Sequence, residues 1–237
     1  MNWSKPAISL LFMLILGVDS SGKDGSIALV KFEQGRGHTF EVIALEGGTF
    51  SAQLVPQISD ALNRRRLSKR DVDGFAVVSG PGSFTGLRIG LAAIKGLAEV
   101  LQKPIAAVSL LEAIARVSEV QGDVTAALDA GRSEVYAADF QISGPQTKSS
   151  HQQLFTLAEL VAATGDRRII TPDVKIADFI REKGLRVSQI DRPRADVIAR
   201  LGFEQIQAGR VIAPEALDAN YIRRTDAEVK KLGEVPK

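Results

Sequence analysis

The residues best placed to do chemistry in this chain lie in one glycine-rich loop and two aspartate-headed turns. The loop is Ser79-Gly80-Pro81-Gly82-Ser83-Phe84-Thr85-Gly86-Leu87-Arg88. It follows the apolar run Gly74–Val78, which reads as a buried strand, and leads into a helix that Ser83 or Thr85 can cap and Pro104 ends. A strand, a glycine-rich loop and a helix N-terminus aim backbone N–H groups at one point, which suits a phosphate. The spacing departs from both common phosphate motifs. Leu87-Arg88 stands where a Walker loop needs Lys-Ser/Thr, and Thr85 stands where a dinucleotide fingerprint needs glycine. On spacing alone, a turn that merely lets the helix pack closely accounts for the loop equally well. The aspartates, Asp19 and Asp129, each end an apolar run (Leu14–Val18 and Val124–Leu128) and open a polar turn. A second apolar run follows each turn (Ser26–Val30 and Val135–Phe140). The two strand–turn–strand units read as one device used twice.

Composition narrows the chemistry. The chain has no cysteine, which excludes disulfides, thiolate metal sites and a cysteine nucleophile, and suits a reducing compartment. Its two histidines, His38 and His151, are too far apart to suggest a shared metal, and no Gly-x-Ser-x-Gly elbow occurs. A net charge of +2 does not by itself indicate a nucleic-acid partner. The basic residues do cluster, in Arg64-Arg65-Arg66 with Lys69-Arg70 and in Arg223-Arg224 with Lys230-Lys231, although such runs are usually solvated faces. Ala7–Val18 has the apolar character of a signal-peptide core but no convincing cleavage site, and it is too short to span a membrane. Residues 1–12 are read as an extension, with Met13 an alternative start, and the protein is expected in the cytoplasm.

The elements that must position these residues alternate between strand and helix. Phe40–Leu45 reads as a third strand, and Ser51–Arg66 as an amphipathic helix carrying Leu54, Val55, Ile58, Ala61 and Leu62 on one side. Ile105–Val108 is a strand before a helix capped by Ser109 and Glu112, and Thr156 caps another helix. Ser143–Gln152 reads as a surface loop. Two further helices are expected at Lys175–Lys183 and Arg194–Ala208, and the residues after Pro214 as a docked tail. The alternation argues for an α/β fold, and the doubled hairpin for two related subdomains. The expected divisions are 1–12, 13–104, 105–214 and 215–237.

The helix after the loop is unusually apolar. Leu87, Leu91, Ile94, Ala98 and Leu101 form one stripe, and Gly86, Ile89, Gly90, Ala93, Leu97 and Val100 an adjoining one. Together they span roughly 220°, about twice what packing on a single core requires. Such a helix needs a second partner, either within the chain or from another protein. Spacing does not say which stripe faces inward.

Gly80-Pro81-Gly82-Ser83-Phe84-Thr85-Gly86-Leu87-Arg88-Ile89-Gly90-Leu91 with Lys95-Gly96-Leu97 resembles the signature of the TsaB (also called YeaZ) family. Leu16–Ser21, Val108–Ala113, Ala127–Tyr136 and Tyr221–Arg224 with Asp226-Ala227-Glu228 are similar to its other characteristic segments. The match runs strongly from Leu14 to Phe140. One departure is Thr49-Phe50-Ser51, where many members carry histidine. The resemblance implies an actin-like ATPase fold (the sugar kinase, Hsp70 and actin group) with two duplicated subdomains. It also implies a role in forming N6-threonylcarbamoyladenosine beside the anticodon of tRNAs reading ANN codons. In that system TsaB is the non-catalytic partner of its paralogue TsaD, which carries the metal ion and performs the transfer, and the ATPase TsaE joins the pair. TsaB would dimerise with itself when alone. It would hold no cofactor of its own, and direct tRNA contact stays open. The same resemblance points to the Ser51–Arg66 and Gly86–Leu101 helices as the partner surface, through Leu54, Ile58, Leu62, Gly86, Ile89, Gly90, Ala93, Leu97 and Val100.

Two other functions compete. An independent ATP-dependent phosphotransferase or hydrolase of the actin-like fold would bind nucleotide at Asp19, Ser20, Ser21, Gly80, Gly82, Ser83, Thr85 and Asp129, although aspartates in such positions are more often turn and cap residues. A peptidase has only two isolated histidines and no cysteine to build on.

Overall fold

The computed structural model describes residues 12–220 except Pro145, together with Ile222. The expected extension therefore lies outside the described residues except for Phe12, which belongs to the first strand. Most of the expected tail, including Tyr221 and Arg223-Arg224, also lies outside them.

The strands and helices form two units. The first holds the described residues up to Ala113 together with Pro193–Ala219, and the second holds the described residues of 114–192 with Asn220 and Ile222. In the first unit, β1 (Phe12–Asp19), β2 (Gly25–Glu33) and β3 (Arg36–Leu45) form an antiparallel meander. β4 (Gly74–Gly80) and β5 (Ile105–Ser109) continue the sheet in parallel, in the order β3-β2-β1-β4-β5. β1 lies at the centre, buried from Met13 to Asp19, as expected for a continuous apolar strand covered on both faces. Successive β1 residues face opposite ways. Val18 lies under α2 (Phe84–Leu101), and Gly17 lies under α6 (Ala195–Gln207). Beside α2 on its face of the sheet packs α1 (Phe50–Arg64), with Phe50, Leu54, Ile58, Ala61 and Leu62 buried.

In the second unit, β6 (Gly122–Gly131) and β7 (Glu134–Ser143) form the second hairpin. β10 (Arg168–Thr171) and β11 (Val187–Gln189) run parallel to β6, in the order β11-β10-β6-β7-β8. Read outward from the hairpin, this is the order of the first sheet again, so the duplication expected from the two hairpins is present. The third strand of this repeat is split. β8 (Gln146–Ser149) pairs the later half of β7 and β9 (Gln153–Thr156) its earlier half. Ser143–Gln152 is thus not simply a surface loop. α3 (Leu110–Val117) follows β5. α4 (Leu157–Thr164) is closed by the Thr156–Glu159 capping box, and α5 (Val174–Glu182) precedes β11. Ala127, Val135, Leu160, Ile169, Ile176 and Ile180 pack together in the core of this unit.

The boundary expected between residues 104 and 105 moves. β5 pairs with β4, so it stays with the first sheet. α6 returns to that sheet from late in the chain. Its first N–H, at Ala195, donates to the buried Ser26 Oγ at 2.9 Å, and Phe203 stacks on Phe32 with ring centroids 3.8 Å apart. Order along the chain does not reveal such a return, because the partners are 169 residues apart.

Candidate functional site

Asp19 ends β1 and is buried together with Ser20 and Ser21. Its Oδ1 accepts the Ser21 N–H at 2.8 Å and the Ser21 hydroxyl at 2.5 Å, an arrangement typical of an aspartate-headed turn. Ser20 Oγ donates to the Gly86 carbonyl at 2.8 Å, and Ser83 N–H donates to the Ser21 carbonyl at 2.7 Å. The Asp19–Ser21 turn and the glycine-rich loop are therefore bonded to each other. The glycines make this contact possible. A Cβ on Gly82 would stand 2.4 Å from the Ser21 carbonyl oxygen, one on Gly86 2.0 Å from that of Ser20, and one on Gly90 2.3 Å from Ser20 Oγ. Ser83, the expected cap, accepts the Gly86 N–H at 3.3 Å and opens α2, while Thr85 is exposed in its first turn. The loop thus cradles a turn of its own chain. Two N–H groups that a bound phosphate would use, those of Ser83 and Gly86, are taken internally.

Asp19, Ser20, Ser21, Gly82, Ser83 and Gly86 are thus brought together, with Gly80 buried at the end of β4. Asp129 belongs to the second unit. There its N–H donates to Asp173 Oδ2 and its own Oδ1 accepts the Gly131 N–H, each at 2.8 Å. Burial pushes the Asp173 carboxyl above its ordinary 3.8. The Asp129 N–H opposes this, the Asp129 carboxylate adds to it, and Arg192 opposes it. Asp173 was not singled out from sequence. Its position just before α5, with no apolar pattern of its own, carries no signal that it meets Asp129.

The second candidate is a surface. On α2, Leu87, Leu91, Ile94 and Ala98 are buried, which identifies the first stripe as the inward one. The second stripe divides. Gly86 and Gly90 are buried under Ser20, which withdraws them from the expected partner surface. Ile89, Ala93 and Leu97 are half-buried, and Val100 is 76% exposed. Leu54, Ile58 and Leu62 of α1 are buried in the unit's own core and are likewise withdrawn. In their place α1 exposes Val55, at 53%, which the sequence assigned to the buried side. At about 100° per residue the arc of buried residues on α1 ends at Leu62, and Val55 falls just past that margin. Near the start of α2, the Arg88 guanidinium lies over the Phe84 ring, 3.9 Å from its centroid. The two helices pack side by side; α2 carries an apolar strip of Ile89, Ala93, Leu97 and Val100 at its surface, and α1 exposes Val55.

Among the described residues no helix is long and apolar enough to cross a membrane. The profile of the family described as TsaD, tRNA N6-adenosine threonylcarbamoyltransferase, matches residues 47–198. The tRNA threonylcarbamoyladenosine biosynthesis protein TsaB of Bacillus subtilis is 30% identical over 230 residues, covering 92% of this chain and 97% of that protein. Its namesake in Escherichia coli is 28% identical over 238 residues, covering 93% and 99%. The structure of YeaZ from Pseudomonas aeruginosa shares the fold, with a TM-score of 0.74 at 23% identity over 88% of this chain and 99% of that one. With the profile covering more than half of the chain and the Bacillus relative matched along nearly its whole length, the chain belongs to the TsaB (YeaZ) family, a TsaD-related group with the actin-like ATPase fold.

Proposed function

We propose that this protein is the non-catalytic, pairing subunit of the complex that forms N6-threonylcarbamoyladenosine in tRNA. It pairs with the catalytic paralogue TsaD through the outward faces of α1 and α2, and with a second copy of itself through the same strip when alone. TsaE joins the pair, and the ATP and metal ion belong to these partners. tRNA is the substrate of the whole, in the cytoplasm. The names of the curated relatives support the pathway, and the TsaD profile supports kinship with the catalytic paralogue. The observation that carries the non-catalytic reading is the glycine-rich loop closed on Ser20 and Ser21. The exposed strip ending at Val100 supports the pairing.

The test is reconstitution. In a reconstituted assay that supplies tRNA, ATP, the paralogue, the ATPase and the activated threonylcarbamoyl donor, modified adenosine should form only when this protein is added. This protein alone with ATP should show no turnover above buffer. Full modification in its absence contradicts the proposal. So does steady ATP hydrolysis by the isolated protein that is lost in Asp19→Ala, which would instead favour an independent phosphotransferase.

A further inference from the structure

One end of the first sheet is formed where β1, β3, β4 and β5 begin and β2 ends, as the pairings of Phe12 with Glu33, Ile15 with Gly74 and Phe75 with Ile105 show. Asp19 and its turn lie at the opposite end. At the first end the chain leaves α1 through Arg66, Lys69 and Arg70, turns between β2 and β3 at Arg36, and leaves α6 through Arg210. All five side chains are exposed and have no partner among the described residues. The neighbouring carboxylates are already engaged. Glu33 meets Lys31 at 2.6 Å, and Glu41 meets Arg64 at 2.7 Å and Arg65 at 3.5 Å. Asp71 closes a capping box with Ser68, and Asp73 accepts the Leu14 N–H at 3.0 Å and faces Lys103 at 3.4 Å. Among the described residues, Glu99 and Glu204 also lie near this end, in the last turns of α2 and α6. Positive charge in excess is thus collected at one end of a unit whose whole chain carries only +2.

A helix C-terminus favours cations, which accounts for Arg64. It does not account for Arg66, whose φ of 56° is a left-handed position where glycine is favoured, nor for Lys69 and Arg70 in a short 3-10 turn. Four of the five free cations are arginines, whose planar forks suit phosphate oxygens. Phe12 stands at the same end, 56% exposed, with Lys31 4.9 Å from its ring centroid. A row of cations with an exposed aromatic ring fits a nucleic-acid strand, since the cations follow the phosphates and the ring accepts a base. The rim is about 20 Å across five strands, room for several nucleotides.

We infer that this end of the first unit is an RNA-docking surface that grips tRNA phosphates through Arg66, Lys69, Arg70, Arg36 and Arg210. The inference rests on the proposed function, since it names the substrate this subunit would touch. Beginning where α1 and α2 end, the surface adjoins the proposed pairing strip.

The test is fluorescence anisotropy with a labelled, unmodified tRNA transcript, read on the chain alone and on its complex with the paralogue across a salt series. Arg66→Glu/Lys69→Glu/Arg70→Glu should weaken binding about tenfold or more and flatten the logarithmic salt slope by roughly two to three. Arg66→Gly relieves the left-handed strain, so it should melt higher than the parent while binding tRNA several-fold more weakly. Unchanged affinity and slope in both variants overturn the inference. So does equal competition by phosphatidylserine vesicles, which would make the patch a membrane contact. Size-exclusion with the paralogue separates the two proposals. Variants that pair normally and keep full tRNA affinity defeat this inference alone. A parent protein that does not pair defeats the proposed function, while the chain-alone anisotropy still decides this one.

Discussion

Replacing Gly86 by alanine would set a methyl group 2.0 Å from the Ser20 carbonyl oxygen, a backbone atom that cannot rotate away. The same replacement at Gly96, ten residues on in the same helix, meets nothing within 4 Å. In a helix interior, glycine to alanine is worth about 1 kcal/mol in alanine's favour, so Gly96→Ala should stabilise by about that amount. At Gly86 the same gain is offset by overpacking. Either α2 or the Asp19–Ser21 turn must move, and the Ser20–Gly86 and Ser83–Ser21 hydrogen bonds lengthen with it. Overpacking of this kind costs typically 1–3 kcal/mol, and a clash with backbone belongs at the upper end. For a chain of this size each kcal/mol moves Tm by about 2–4 °C. The net loss is then about 2 kcal/mol, so Gly86→Ala should lower Tm by roughly 4–8 °C, and Gly96→Ala should raise it by a few degrees. Differential scanning calorimetry on dilute, unpartnered protein reads both. Equal shifts of the same sign would refute the claim that the loop cradles the turn. So would a Gly86→Ala protein as stable as its parent.

Two further substitutions test neighbouring parts of the account. Asp173 is held above its ordinary 3.8 chiefly by burial, so the native state binds its proton more tightly than the unfolded chain does. Stability therefore falls as pH rises from 3.8 through the raised value and stays lower above it. Asp173→Asn, whose side-chain carbonyl can still accept the Asp129 N–H, should melt above the parent at pH 7 and lose that advantage near pH 3. A parent that melts higher at pH 7 contradicts the assignment. Ser26→Ala leaves the buried Ala195 N–H without its acceptor, at a cost of about 1–3 kcal/mol by urea denaturation, and an unchanged midpoint would mean that α6 is not docked as described.

How much of this was legible in the sequence depended on whether the deciding contact was local. The two aspartate turns were readable because turn chemistry is written within a few residues, and the repeated sheet order followed from them. The Thr156–Glu159 and Ser109–Glu112 contacts follow from three-residue spacing in the same way. β8 was missed because Gln146-Thr147-Lys148-Ser149 is polar, and an edge strand needs only a backbone partner, here β7. α6 falls in the wrong unit because its partners lie far off in sequence, and β5 because nothing in its own residues shows that it pairs with β4 across α2. In the glycine-rich loop, spacing allowed either a phosphate or a peptide turn, and only the position of Ser20 and Ser21 separates the two. The excess apolar arc of α2 was visible, but its division was not. Gly86 and Gly90 look like interface residues until the turn above them is in place. On α1, Leu54 and Val55 are equally apolar, and only the packed helix shows that the buried arc stops short of Val55.

The central claim is that the strip on α1 and α2 is for pairing and not for folding, and one comparison measures it directly. Leu91 is 6% exposed and belongs to the core, whereas Ala93, two residues on, is half-buried within the strip. Leu91→Arg places a charge in the core and should unfold the first unit. Ala93→Arg should melt like the parent and yet elute alone in size-exclusion chromatography with the paralogue, where the parent elutes as a complex. If Ala93→Arg folds and still co-elutes with the paralogue, the strip is not the pairing surface.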